Sequence, residues 1–310
     1  MERSAKMEIY DLKTMALVDV DFDTIVALGT FDGCHFAHQR VLSSAFYEAK
    51  RRGVKSLVYT FYQTPKADKG VKSIYTLEEK IKAFKKAGLD YVAIEHFERI
   101  KNMSAREFFD NVLVGELKAV GASCGYNYKF GKGASACADD LTSFFGEIDG
   151  GSVQICEKVV VDEKTISSTL LRSLLENGEV ENLYSFGSSF SVYSKVLHGK
   201  RLGRELGFPT INQKIPDEKV IPKSGVYITE CEIGEDVYPS ITNVGMRPSV
   251  DDGDDINMET HIIGYDGVLY HSYIRVNFYK FLREERAFAS LDELRAQIGI
   301  DTEKSKAYFK

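Results

Sequence analysis

The sequence predicts two folded parts. One is an α/β doubly wound, Rossmann-like domain over 1–186; the other is an all-β antiparallel barrel over 187–310 that ends in a helix. Three observations carry this. The first 185 residues alternate short β-branched apolar runs with helical apolar spacing, the rhythm of a mostly parallel sheet covered by helices on both faces. After Gly187 that rhythm gives way to short alternating runs separated by Gly, Pro and Asp, the pattern of an antiparallel barrel. A length of 310 residues also sets a prior of about two domains.

In chain order, Thr24–Leu28 is a β-branched apolar run ended by Gly29, as expected of a buried parallel strand. Val41, Leu42, Ala45, Phe46 and Ala49 share one helical face over 38–52, and Gly53 stops that helix. Ser56–Phe61 is the next strand. Thr76-Leu77-Glu78-Glu79 is a capping box opening a helix to Ala87, with Gly88 as its stop. Tyr91–Ile94 reads as a strand. Ser104-Ala105-Arg106-Glu107 is a second capping box, ahead of a helix facing inward with Phe108, Phe109, Val112 and Leu113. Strands are expected at 119–122 and 153–161. In the second part they are expected at 191–197, 226–232, 237–243, 258–265 and 269–278, followed by a helix from Leu291 to Ile298 capped by Ser290. Gly187-Ser188-Ser189 is the boundary between the parts.

Composition narrows the function classes. Forty Lys and Arg against 46 Asp and Glu leave a formal charge of −6, which argues against broad nucleic-acid binding while permitting a local basic pocket. Hydrophobic residues at 44% and charged residues at 28% describe an ordinary globular chain. No apolar run approaches a membrane span, and the opening Met1–Lys6 lacks an apolar signal core, so no membrane partner is expected. Cys34, Cys124, Cys137, Cys156 and Cys231 are odd in number and never spaced CxxC. They read as reduced thiols of a cytoplasmic protein. Oligomeric state is not legible.

The first chemical constellation is Gly29-Thr30-Phe31-Asp32-Gly33-Cys34-His35-Phe36-Ala37-His38-Gln39, between the first strand and its helix. A doubly wound sheet holds its ligand there, and glycines let a phosphate approach the backbone. His35 and His38 are three apart and so face the same way on a helical turn. They could donate to phosphate oxygens or, protonated, offset charge on a leaving pyrophosphate. The bland alternative is a strand-turn-helix junction with two surface histidines. Ile166-Ser167-Ser168-Thr169-Leu170-Leu171-Arg172 opens another helix. Ser168 and Thr169 either simply cap it or grip a triphosphate, with Arg172 adding charge one turn in. Gly131-Lys132-Gly133-Ala134-Ser135-Ala136 comes too late, and without the right acidic partner, to be a dinucleotide fingerprint. No GxxxxGK[ST] exists.

The second constellation is His198-Gly199-Lys200-Arg201-Leu202-Gly203-Arg204-Glu205-Leu206-Gly207-Phe208-Pro209-Thr210-Ile211-Asn212. Gly199, Gly203 and Gly207 let backbone N–H groups converge on an anion, and Lys200, Arg201 and Arg204 add positive potential to an acidic protein. Thr210 and Asn212 are two apart, so on a strand they share a face. Two hard oxygen donors suit a Mg²⁺ ion completed by phosphates and water. The plain alternative is a basic hairpin loop.

Residues 20–185 resemble the nucleotidyltransferases with their HxGH and ISSTxxR motifs. More narrowly, with Gly125-Tyr126-Asn127-Tyr128-Lys129-Phe130-Gly131-Lys132-Gly133, they resemble the adenylyltransferase half of the bacterial bifunctional riboflavin kinase/FAD synthetases. Residues 188–310 resemble the riboflavin kinase half. The 199–212 run carries that likeness, together with Ser224-Gly225-Val226-Tyr227, Asn243–Pro248, Met258-Glu259-Thr260-His261, Asp266–Tyr270 and Phe281–Glu285. Departures are Ala37 for the Gly of HxGH, Thr60–Pro65 for T-F-D-P-H-P, Ile211 for Ala and His271 for Gly.

The resemblance implies phosphorylation of riboflavin to FMN by MgATP. It further implies adenylylation of FMN to FAD by a second ATP, with loss of pyrophosphate. Glu259 becomes the base that accepts the ribityl hydroxyl proton, and His35 and His38 the catalytic pair of the other half. Gly29, Phe31, Gly33, Ser168, Thr169, Arg172, Gly199, Lys200, Gly203, Arg204, Gly207 and Pro209 become nucleotide-binding. Asn127, Arg247 and Arg283 become flavin-binding, and Thr210 and Asn212 hold Mg²⁺. The departures leave open a kinase whose first domain is weak or inactive. A non-catalytic flavin-responsive regulator is the other alternative.

Overall fold

The computed structural model describes residues 7–13, 21–65, 67–198, 203, 206–248 and 254–310; for 246–248 and 254–257 it describes the backbone alone. The chain divides into two compact units, 1–168 and 169–310.

The first unit is built on a six-stranded parallel sheet. Its strands are β1 (Glu8–Asp11), β2 (Thr24–Leu28), β3 (Lys55–Phe61), β4 (Tyr91–Glu95), β5 (Ala119–Gly125) and, after two short strands β6 (Lys129–Phe130) and β7 (Ala136–Cys137), β8 (Ser152–Cys156). The order is β1-β4-β3-β2-β5-β8. From β2 the chain winds through β3 and β4 to one side, then returns to place β5 on the other. The topological switch point is therefore the carboxyl end of β2, where an open α/β sheet leaves a crevice.

Period-2 alternation assigns each strand residue to one of two cores. Ile25, Ala27, Val58, Val92 and Ile94 pack with Val41, Leu42, Ala45 and Ala49 of α1 (Phe36–Arg52) and Phe84 of α2 (Leu77–Lys86). Val26, Leu28, Leu57, Tyr59 and Ala93 pack on the opposite side with Phe108, Phe109, Val112 and Leu113, and with Leu141 and Phe145 of α5 (Ala138–Phe145). Between these lie α3 (Phe97–Ile100) and α4 (Ala105–Glu107). The Thr76 and Ser104 capping boxes both form, and Gly53, at φ 69°, closes α1 in the left-handed region.

Two expectations for this unit are corrected. The Ser104 box opens only one α-turn before the backbone widens into a π-helix, Phe108–Glu116, ending with Leu117 N–H donating to the Val112 carbonyl at 3.0 Å. The 153–161 strand stops at Cys156; Val160–Val161 (β9) pairs instead with Lys164–Thr165 (β10). The edge strand β1 and helix α5 were not legible as elements.

In the second unit α6 (Ser168–Asn177) and α7 (Asn182–Ser185) lead into a closed six-stranded antiparallel barrel. Its strands are β11 (Phe190–Leu197), β12 (Thr210–Lys214), β13 (Gly225–Ile233), β14 (Asp236–Pro248), β15 (Asp254–Ile262) and β16 (Tyr273–Arg283), closed in the order β11-β12-β15-β14-β13-β16. The interior holds Phe190, Val192, Tyr227, Val276 and Phe278. Beside them runs a chain of buried hydroxyls: Thr229 to Ser240 and to Thr242 at 2.8 Å, and Thr242 to Thr260 at 2.9 Å. A hydroxyl can donate and accept at once, so these polar atoms pair with one another along the chain.

The strand expected at 269–278 begins at Tyr273. Leu269–Ser272 is a turn, with Ser272 N–H on the Leu269 carbonyl at 3.1 Å and His271 at φ 66°. The final helix, α8 (Leu291–Tyr308), is capped by Ser290 and runs well past Ile298. It continues through Gly299 because Asp301, Thr302 and Ser305 are buried, Ser305 Oγ donating to the Ser240 carbonyl at 2.9 Å. No helix among the described residues is long and apolar enough to cross a membrane. The five cysteines are free thiols.

Candidate functional site

In the first unit the loop leaving β2 is held from several directions. Phe31, Gly33 and Cys34 take φ values of 52°, 78° and 39°, a left-handed stretch that persists only where the surroundings enforce it. Asp32 Oδ1 accepts the N–H groups of Ile74 and Tyr75 at 2.8 and 2.9 Å. Ser168 Oγ donates to the Asp32 carbonyl at 2.8 Å, Thr60 Oγ1 to that of Thr30 at 3.1 Å, and Gln39 Nε2 to that of Cys34 at 2.9 Å. Phe31 is wholly buried; its ring lies under Gly29, where a Cβ would come within 3.1 Å of it. Phe31 can thus meet a nucleotide through its backbone only, its ring being the floor of the loop.

His35 is the N-cap of α1, and its Nδ1 accepts the His38 N–H at 3.4 Å. The two rings stack with centroids 3.7 Å apart, so they do face the same way. Their charge differs from the protonated pair considered above. Burial lowers His35 to about 4. Burial, then His35 and Lys80, hold His38 well below its ordinary value. Both imidazoles are neutral at pH 7, and each offers a hydrogen bond without a charge. His38 Nδ1 is itself buried with no partner among the described residues.

Ser168 thus joins the loop through its hydroxyl, whereas Thr169 and Arg172 lie in the first turns of α6, counted with the second unit. Asn127 is exposed just past the carboxyl end of β5. Two residues with weight here escaped sequence reasoning. Asp32 stood inside the quoted motif without a role, and Lys80 was hidden in the capping-box helix. A buried polar network also lies at the end of β4. Glu95, fully buried, accepts from Tyr59 Oη at 2.8 Å and from Arg99 through two guanidinium nitrogens, and Arg99 also grips Glu116.

In the second unit, strand register places side chains in rows. Asn212 of β12, Glu259 of β15 and Asn243 of β14 are cross-strand neighbours; Thr210, His261 and Ile241 form the next row. Ile211 alternates to the opposite face, opposite Thr260. Asn212 Oδ1 and Asn243 Oδ1 are both buried without a partner among the described residues, so two acceptors flank the Glu259 carboxylate. An orphaned hard oxygen beside Thr210 fits the chemistry of Mg²⁺. Asn243 Nδ2 donates to Glu285 Oε1 at 2.7 Å, and Glu285 lies close over Gly245.

Glu259 and Asn243 of this row line a cavity of about 200 Å³, together with Gly203, Thr210, Arg283, Phe288 and, from α8, Leu294 and Asp301. Gly203 accepts the Phe208 N–H at 2.7 Å, and a Cβ on it would sit 2.5 Å from the Phe208 carbonyl oxygen. Gly207 stands at φ 83°, exposed, and Pro209 accepts from His261 Nδ1 at 2.9 Å. Arg283 lines the cavity while its Nε donates to buried Asp301 at 2.9 Å. Gly199, Lys200 and Arg204 lie outside the described residues, as does the side chain of Arg247. Asn243, Glu285 and Asp301 were not singled out from sequence; register, which a single sequence does not display, brings them in.

Residues 186–309 match the riboflavin kinase family and residues 18–170 the FAD synthetase family. The bifunctional riboflavin kinase/FMN adenylyltransferase of Bacillus subtilis is 30% identical over 300 residues, covering 92% of each chain. That of Escherichia coli K12 is 31% identical over 295 residues, again covering 92% of each. Among solved structures, a crystal structure described as a macrolide-efflux protein from Streptococcus pneumoniae superposes with a TM-score of 0.86 at 26% identity, covering 96% of this chain and 98% of that one.

Proposed function

From the premise that the chain belongs to the bifunctional riboflavin kinase/FMN adenylyltransferase family, we propose a division of labour between a kinase domain at 187–310 and an adenylyltransferase domain at 1–186. The substrates are riboflavin, FMN and ATP, and the products FMN, FAD, ADP and pyrophosphate. The observation that carries the kinase assignment is the Asn212–Glu259–Asn243 row, a carboxylate between two acceptors without a partner among the described residues, with Glu259 and Asn243 in the wall of a cavity.

Glu259 takes the proton from the 5′-hydroxyl of riboflavin as that oxygen bonds to the γ-phosphorus of ATP and ADP departs. Thr210 and Asn212 would hold Mg²⁺, which neutralises phosphate charge. Gly203 and Gly207, with Gly199, Lys200 and Arg204, cover the phosphates. Pro209 sets the strand entry, and Arg283 and Arg247 serve the flavin.

In the first domain the FMN phosphate attacks the α-phosphorus of a second ATP and pyrophosphate leaves. That nucleophile is already an anion, so the site has to orient it and offset charge, and needs no strong base. The Gly29–Gly33 loop presents its backbone to the phosphates. Neutral His35 and His38 donate hydrogen bonds, Ser168 braces the loop, Thr169 and Arg172 meet the triphosphate, and Asn127 meets the flavin. The efflux in the name of the Streptococcus pneumoniae protein is not carried over, because both family matches and the cavity residues support flavin chemistry. We place the enzyme in the cytoplasm, in keeping with its free thiols.

The test is separation of the two activities. Glu259→Ala ends FMN formation and leaves FAD formation from supplied FMN; His38→Ala does the reverse. Unchanged riboflavin phosphorylation in the first variant, or unchanged FAD formation in the second, overturns the corresponding assignment.

A further inference from the structure

Lys80 stands in the first turn of α2, behind the Thr76 capping box. A cation at that end of a helix gains nothing from the dipole and is ordinarily solvated. This one is 4% exposed. Its ammonium donates to the Phe61 carbonyl, at the carboxyl end of β3, at 2.7 Å. That is its one hydrogen bond among the described residues, and an ammonium has three donors. The charge that acts on it is Asp32, on the loop leaving β2, and its own charge reaches His38. Asp32 has meanwhile committed Oδ1 to the Ile74 and Tyr75 N–H groups.

Packing does not explain this lysine. A methionine would fill the same volume without the cost of burying a charge. The loop itself explains it better. Residues 29–39 contain no Lys or Arg, and the two histidines are held neutral. A site that must steady an ATP tail thus has a buried positive charge one strand away, with donors to spare.

We propose that Lys80 is the electrostatic residue of the adenylyl-transfer site, offsetting from beneath the 29–35 loop the charge that builds on the departing pyrophosphate. The inference rests on the assignment of adenylyl transfer to the first domain and adds to it the source of positive charge. Burial lowers the lysine to about 8, which still leaves it mostly protonated at pH 7.

The experiment uses the full chain and its Lys80→Met variant. Inorganic pyrophosphate and FMN are titrated separately by calorimetry, and FAD formation from FMN and MgATP is followed alongside riboflavin phosphorylation. In the variant, FAD formation falls by about 10²-fold, the cost typical of losing one preorganised electrostatic group. Pyrophosphate binding weakens, while FMN binding and riboflavin phosphorylation stay at the wild-type level. A structural lysine would not split the two ligands. Equal weakening of pyrophosphate and FMN, or wild-type FAD formation in the variant, overturns the proposal. If the wild-type protein binds pyrophosphate but makes no FAD from FMN, the adenylyltransferase assignment fails and Lys80's role in transfer fails with it; the titration still reports whether Lys80 meets pyrophosphate.

Discussion

Acid should destabilise the first unit through His35, and His35→Asn should remove that sensitivity. The ring is 3% exposed, and its Nδ1 must stay unprotonated to accept the His38 N–H at the start of α1. Burial lowers its pKa from 6.5 to about 4. Between those values the unfolded chain holds more protons than the folded one, so stability falls as pH falls. The full contribution is present above pH 6.5 and is lost on the way down to about 4. At about pH 4.5 the unfolded ring is protonated by about a hundred to one and the folded ring by about one in four, a difference worth about 2.5 kcal/mol. That is a large share of an ordinary domain's stability. His38 shifts in the same direction and adds to it.

The assay is urea unfolding of the wild type and His35→Asn at about pH 7.5 and about pH 4.5, with the first unit followed through hydrogen exchange of its own amides. Asparagine keeps an N-cap acceptor, so the two proteins should agree within a few tenths of a kcal/mol at the higher pH. At the lower pH the variant should be the more stable by about 2.5 kcal/mol. Carboxylates elsewhere titrate alike in both and cancel in the difference. Parallel pH dependences would refute the reasoning. The folded protein would then tolerate a charged His35, and the case for a separate buried cation would lose its footing.

Other outcomes follow from the same geometry. Arg99→Met strands the fully buried Glu95 carboxylate with only Tyr59 and the His96 N–H as donors. It should cost the first unit about 3–5 kcal/mol by denaturant unfolding, leaving riboflavin phosphorylation intact. Gly203→Ala drives a Cβ against the Phe208 carbonyl oxygen and must displace the turn before Thr210. Steady-state kinetics should show kcat/KM for ATP in the kinase reaction falling by about 10- to 10²-fold, with FAD formation from FMN unaffected.

Much of the fold was legible because local signals and tertiary packing agreed. The 24–28 run is strand-like in composition and buried on both sides, and the Thr76 box caps a helix that packs as its apolar spacing requires. Legibility failed where a local stop signal was overruled. Gly299 reads as the end of the last helix, yet burial of Asp301, Thr302 and Ser305 beyond it keeps the helix going. Leu269–Ser272 looks like strand, and the left-handed His271 makes it a turn. The site divides in the same way. Motif residues such as Thr210, Asn212 and Glu259 could be named from sequence, and register sets Asn212 and Glu259 side by side. Asn243 came in through strand register, and Lys80 through burial that no local pattern announces. The charge state of the two histidines was likewise invisible, since it depends on what surrounds them rather than on their spacing.

The central claim is that one chain carries two independent sites acting in sequence on a flavin. Chromatography of the purified full chain, incubated with riboflavin, ATP and magnesium, tests it most directly. FMN should accumulate first and FAD follow, and FMN supplied in place of riboflavin should yield FAD with one pyrophosphate released per turnover. Recovery of unchanged riboflavin and FMN from both incubations would contradict the account.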